Sequence, residues 1–171
     1  IYQNLKEFRV YKLINYAIED LKYEIEKRRA EAAEKKFKEK EKELRKAVEI
    51  SPDSASALVS LGEFYEKNRN YTELVGLSRK LVELVPNNKF SFLLLGEAYD
   101  NLDMYEEAEE AYLKAIGLDP TYTWGYASLG NIYNELNRSK EGIQMYKRYF
   151  NISNKYDEDI NIKLVKLYMN I

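Results

Sequence analysis

Four residue types recur through this chain at one constant interval. Pro52, Pro86 and Pro120 are spaced by 34 residues, and so are Gly62, Gly96 and Gly130, Leu61, Leu95 and Leu129, and Tyr65, Tyr99 and Tyr133. Such a period leaves few folds open, because it requires one supersecondary unit of fixed length stacked on copies of itself. Between consecutive prolines lie two apolar patterns of helical spacing: Phe92, Leu95, Gly96 and Tyr99, then Ala108, Tyr112 and Ala115, with the polar turn NLD at 101–103 between them. Each unit reads as a pair of antiparallel helices. Proline cannot continue a helix, so Pro52, Pro86 and Pro120 mark the end of each second helix. Asp53, Asn87, Asn88 and Thr121 follow them and are expected to cap the next helix.

A glycine inside a helix costs about 1 kcal/mol relative to alanine, so its recurrence needs a recurring cause. Two helices packed face to face require a small residue where they cross. Gly62, Gly96 and Gly130 are expected to fill that position and let the backbones approach, with Ala108 and Ala115 serving the same role from the second helix and Tyr99 and Tyr112 filling the space beside them.

The unit resembles the tetratricopeptide repeat, a helix-turn-helix of the same length. Residues 89–122, KFSFLLLGEAYDNLDMYEEAEEAYLKAIGLDPTY, meet that pattern at Phe92, Leu95, Gly96, Tyr99, Tyr105, Ala108, Tyr112, Ala115 and Pro120. Residues 123–156 keep Tyr126, Leu129, Gly130, Tyr133 and Tyr146, but place Gly142, Tyr149 and Asn154 where the family has alanine, a small residue and proline. Residues 55–88 keep Leu58, Leu61, Gly62, Tyr65, Tyr71 and Pro86, and carry Leu74, Ser78 and Leu81 in the second helix. The resemblance implies an all-α fold: a right-handed superhelical solenoid of antiparallel helix pairs, with three repeats (55–88, 89–122, 123–156) over residues 55–156 and a long N-terminal helical extension.

The two ends are read separately. Residues 157–171 begin with acids, which suit a helix start, and continue with Ile160, Leu164 and Tyr168. They form a C-terminal capping helix or a truncated fourth repeat. Residues 1–51 contain neither glycine nor proline and read as a helical segment, either one long helix or a helical hairpin. Phe37, Leu44, Ala47 and Ile50 resemble the second helix of a degenerate repeat, although a matching first helix would put Glu24 and Arg28 in a core. Ile14, Ile18, Leu21 and Ile25 make an apolar stripe at spacing 4, 3, 4, followed by a charged stretch with favourable Glu31–Lys35, Glu34–Lys38 and Glu41–Arg45 pairs. The stripe leaves open whether it pairs with another chain, a self-association through residues 1–51, or folds back on its own helix.

Composition then excludes whole classes of function. At 171 residues, 45% hydrophobic and 33% charged, the chain is long enough for a real core. Its net charge of -2 lacks the basic footprint of a nucleic-acid binder, and residues 1–50 carry only 14 Lys and Arg against 11 Asp and Glu. No apolar run of about 18 residues is present, so no membrane insertion is expected in this segment. The chain starts with Ile1 rather than methionine, which suggests a piece of a longer protein. The compartment is left unknown: cytoplasmic or, if an upstream targeting segment is missing, periplasmic or membrane-anchored. There is no histidine and no cysteine, which removes the commonest general base, the usual zinc ligands and the thiol nucleophile. No catalytic residue, cofactor or metal site is expected, and the chain does not read as an enzyme. GYASLGN at 125–131 has phosphate-loop glycine spacing without the following lysine, inside a helix whose amides are already bonded. EEAEEA at 106–111 lacks calcium-loop spacing and reads as a solvated face.

What remains is a binding surface. The resemblance implies that the first helices line a concave groove. Its wall would be Ser56, Val59, Glu63, Glu66 and Lys67 in the first repeat, Phe90, Leu93, Glu97, Asp100 and Asn101 in the second, and Trp124, Ala127, Asn131, Asn134 and Glu135 in the third. Five acids face one lysine there. The groove is expected to bind a protein or peptide segment, basic or polar, with Phe90 and Trp124 as apolar anchors and Asn131 and Asn134 holding its backbone. Val59, Glu63, Glu97 and Ala127 stand where the family's chaperone-tail clamp needs bases or amides, which disfavours that ligand. The chain therefore reads as a non-catalytic protein-protein interaction module, a scaffold or adaptor within a larger assembly. Two alternatives are a structural subunit assembling through its N-terminal helix and its convex or end faces, and a recruiting or regulatory arm of an enzyme whose catalytic domain lies outside these residues.

Overall fold

The computed structural model describes residues 2–169, with side chains from residue 11 onward; residue 1 and residues 170–171, the ends of the two terminal segments, lie outside the described part. The described residues contain eight helices and no strand. They divide into two units, Ile1–Lys46 and Ala47–Ile171.

The first unit is formed, as far as Lys46, by α1, Tyr2–Ile50, a single unbroken helix of 49 residues. Nothing in its sequence interrupts the backbone ladder before Pro52. Its surface is laced by Glu34–Lys38 at 2.6 Å and Glu41–Arg45 at 2.8 Å, two of the pairs expected from the sequence, together with Lys22–Glu19 and Lys40–Glu43. Solvent-screened pairs of this kind add little to an exposed helix. Ile50 is 73% exposed and joins no core.

The second unit is a series of helix pairs: α2 (Ala55–Lys67) with α3 (Tyr71–Leu84), α4 (Lys89–Asp100) with α5 (Tyr105–Leu118), and α6 (Thr123–Glu135) with α7 (Ser139–Ser153), closed by α8 (Glu158–Met169). Every helix packs on the next in sequence. Pro86 and Pro120 lie two residues beyond the ends of α3 and α5. The caps differ in part from those expected. Asn88 does cap α4, its Oδ1 accepting from the Phe90 N–H at 2.9 Å, but Ser54 rather than Asp53 caps α2, and Tyr122, at the N-cap of α6, makes no side-chain cap. Thr121 instead donates its N–H and hydroxyl to Asp119.

The turns inside the pairs hold the same period in backbone form. Arg69, Asp103 and Asn137, each 34 residues from the next, take positive φ of 58°, 57° and 56°. The residue after each donates its N–H to a carbonyl of the preceding helix: Asn70 to Tyr65 at 2.8 Å, Met104 to Tyr99 at 2.9 Å, Arg138 to Tyr133 at 2.7 Å. No glycine has positive φ, so the recurring glycines are there for space alone.

Tyr112 fills the space at Gly96, as the sequence suggested, and the ring lies directly against the glycine. A Cβ on Gly96 would stand 2.8 Å from the Tyr112 ring, and one on Gly130 only 2.2 Å from the Tyr146 ring. The glycines of α4 and α6 seat a buried tyrosine ring from the partner helix, and Gly130 also lies where the α6 and α7 backbones come close. Backbone approach occurs at Gly142, whose Cβ would lie 3.4 Å from the Gly130 carbonyl oxygen. In the first pair Ser78 stands where Tyr112 and Tyr146 stand in the others, and Leu77 and Leu94 close over Gly62 instead. Ser78 is fully buried, and its hydroxyl has no hydrogen-bond partner among the described residues.

The main core joins Leu93, Leu95 and Tyr99 of α4, Ala108, Ala111, Tyr112 and Ala115 of α5, and Leu129, Ile132 and Tyr133 of α6. Neighbouring pairs thus share one interior, as stacked repeats must. On α8 the inward face is Ile160 and Leu167, both buried, whereas Tyr168 is 48% exposed. A strict four-residue step drifts around a helix of 3.6 residues per turn, so the third apolar contact falls one residue earlier than the sequence stripe implied.

Candidate binding groove

The first helices α2, α4 and α6 each send side chains at equivalent positions to one face. Between them opens a groove of about 270 Å³, walled by Val59, Glu63 and Glu66 from α2, Phe90, Leu93 and Glu97 from α4, and Trp124 from α6. These are seven of the residues anticipated from the sequence. Its floor includes buried Ser91 and Leu81. Leu94, Asn88 and Tyr122, which sequence reasoning did not place there, complete it. Asn88 and Tyr122 are one position in successive repeats, each at the start of a first helix, a signal the spacing did carry.

Phe90 and Trp124 are rim residues, 59% and 56% exposed, and belong to no core. Phe90 stands edge-on to Tyr122, ring centroids 6.0 Å apart at 80°. The Lys89 ammonium lies 5.0 Å from the Phe90 centroid and 4.7 Å from that of Tyr122 while bonded to Asp119, which ties the start of α4 to the end of α5. Phe90 and Tyr122 are thus fixed against each other and against Lys89. That arrangement keeps Asp119 ionised: the Lys89 and Thr121 hydrogen bonds bring its carboxyl down to about 2.

The acids of the groove have the opposite environment. Burial, then the charge of and a hydrogen bond with Glu66, then Asp100, raise the Glu97 carboxyl to about 7. Near neutrality Glu97 thus holds its proton in part beside Glu66, and among the described residues neither makes an ion pair. Asp100 is raised as well, by burial and by Glu135 and Asp103, with Lys163 of α8 acting against them.

Several of the other anticipated residues are occupied within the fold, while Ser56 and Lys67 of α2 are exposed outside this cavity. Ala127 is buried among Ile143, Tyr146, Ile160 and Leu167, under α7 and α8. Asn131 Oδ1 accepts from the Tyr146 hydroxyl and from Lys163 Nζ, both at 2.8 Å, so it is bound to α7 and α8 instead of facing an open groove. Asn101 Nδ2 donates to the Glu97 carbonyl and finishes α4. Asn134 and Glu135 remain exposed beside each other, 3.5 Å apart. The sequence alone could not show that α8 lies over this part of the face. Among the described residues no cluster of acids is arranged to hold a metal ion, and no helix is long and apolar enough to cross a membrane.

Comparison with known proteins accounts for this architecture. Profiles described as tetratricopeptide repeat match residues 57–90, 91–122 and 125–156, more than half of the chain. No curated protein sequence matches this chain. Among solved structures, one described as MamA protein superposes with a TM-score of 0.74 at 20% identity, over 81% of this chain and 75% of its own. The Arabidopsis OM64 TPR domain gives 0.66 at 17% identity, over 69% of this chain and 97% of its own. The first TPR of Spaghetti (RPAP3), bound to HSP90 peptide SRMEEVD, gives 0.64 at 23% identity, over 67% and 90%. With its repeats matched by the family profiles over more than half of its length and its helix pairs matched in fold, the chain belongs to the tetratricopeptide repeat family.

Proposed function

We propose that the chain is a non-catalytic protein-interaction module, a scaffold or adaptor, that holds an extended basic segment of a partner along α2, α4 and α6. The observation that carries this reading is the makeup of the groove: two exposed aromatic anchors, Phe90 and Trp124, beside three carboxylates, Glu63, Glu66 and Glu97, in one cavity. A lysine or arginine of the partner supplies the cation that the Glu66–Glu97 pair lacks, and an apolar neighbour in the segment covers Phe90 and Trp124. Anchors of this kind dominate binding energies, while the carboxylates set the sign of the ligand. The peptide named with the RPAP3 domain, SRMEEVD, is acidic at its end. The acids in this groove disfavour such a ligand.

Trp124 is the only tryptophan in the chain, so its fluorescence reports on the groove directly. A short peptide alternating lysine with leucine should produce a saturable change, and a glutamate-leucine peptide of equal length should not. Glu66→Gln with Glu97→Gln should weaken the basic peptide about tenfold or more, and Phe90→Ala by a similar factor. Equal response to both peptides, or to neither, refutes the assignment.

A further inference from the structure

Tyr11, Ile14, Ile18, Leu21 and Ile25 follow one another along α1 at steps of 3, 4, 3 and 4, and each is 43–63% exposed. One helix cannot cover its own side, so this seam has no partner within the first unit. We propose that it is covered by a second copy of the same chain, in a parallel, in-register, two-stranded coiled coil over Tyr11–Ile25.

Residue types select the strand number. In the heptad frame Tyr11, Ile18 and Ile25 hold the first seam position, and Ile14 and Leu21 the second. Ile18 and Ile25 at the first position with Leu21 at the second favour two strands over three or four, whereas Tyr11 and Ile14 do not add to that preference. The next seam residue, Arg28, ends the apolar stretch.

Flanking charges select the orientation and the occupant. On one side of the seam stand Lys22 and Arg29, and on the other Glu24 and Glu31. In a parallel pair each residue of the acidic edge meets the basic edge of the other helix five residues further on, so Glu24 faces Arg29 of the second copy, twice by symmetry. In an antiparallel pair like edges meet, acid against acid and base against base. The seam is thus complementary to itself in one orientation only. Lys22 also bonds Glu19 at 2.8 Å within its own helix, which leaves the Glu24–Arg29 contacts as the orienting pair.

Sedimentation equilibrium of the full chain should show a reversible dimer. Glu24→Arg should raise the dissociation constant about tenfold by setting arginine against arginine, and Glu24→Arg with Arg29→Glu should restore it. Ile18→Asp should leave a monomer whose second-unit melting is unchanged. The chain has no cysteine, so Leu21→Cys should form a disulfide-linked dimer under mild oxidation, whereas Tyr16→Cys, on the outer face, should not. A chain that stays monomeric at about 200 μM, no recovery in the double charge swap, or equal cross-linking at 16 and 21 would each overturn the proposal.

Discussion

Gly130→Ala is the most discriminating substitution in the fold. In an unconstrained helix it stabilises by about 1 kcal/mol, since alanine is the better helix former. Here the new methyl would lie 2.2 Å from Cε1, 2.5 Å from Cδ1 and 2.7 Å from Cζ of Tyr146, well inside van der Waals contact. The ring cannot step aside cheaply: Tyr146 is fully buried, and its hydroxyl is bonded to Asn131 at 2.8 Å. Overpacking of this kind costs about 1–3 kcal/mol or more, and breaking the Asn131 hydrogen bond adds about 1 kcal/mol. Against the propensity gain the net expected loss is about 1–3 kcal/mol, a fall in melting temperature of roughly 3–15 °C for a unit of this size. The control is Gly76→Ala, which meets nothing within 4 Å and should stabilise by about 0.5–1 kcal/mol. Urea and thermal denaturation followed by circular dichroism measure both. The reasoning is refuted if Gly130→Ala melts at or above the unsubstituted chain, or if Tyr146→Leu fails to recover part of its loss in a double-mutant cycle.

Three further outcomes are expected. Glu97 titrates near 7 in the fold and near 4.5 when unfolded, so between those values the native state holds the proton that the unfolded chain has lost. Stability should fall as pH rises from about 4.5 to 7 and level off above, by about 1–2 kcal/mol once solvent in the open groove is allowed for, and Glu97→Gln should flatten the melting-temperature profile over that window. Ser78→Ala removes a buried hydroxyl without a partner and should be neutral or stabilising by up to about 1 kcal/mol in urea denaturation; a clear loss would mean that the hydroxyl is satisfied in solution. Arg138 joins Glu109 of α5 at 2.6 Å, pairs with Glu141 and lies 4.4 Å from the Tyr133 centroid. Arg138→Ala should cost about 1 kcal/mol and lose most of that effect at high salt.

The sequence by itself determined the repeat length, the helix pairs, their proline stops and one wall of the groove. Helix periodicity and chain punctuation are local, so Leu61, Leu95 and Leu129 announce a buried face wherever the helices go. Seven wall residues, from Val59 to Trp124, were legible because identical repeats present identical positions to one side. Tertiary packing decided the rest. Whether a glycine admits a backbone or a tyrosine ring depends on which side chain arrives from the neighbouring helix, and Ser78 in place of tyrosine changed that answer in the first pair alone. Asn131 and Ala127 occupy the same repeat positions as open wall residues, yet α8 claims them. A groove is open only where no further element covers it, and that is fixed by contacts between segments some 30 residues apart, such as Lys163 with Asn131.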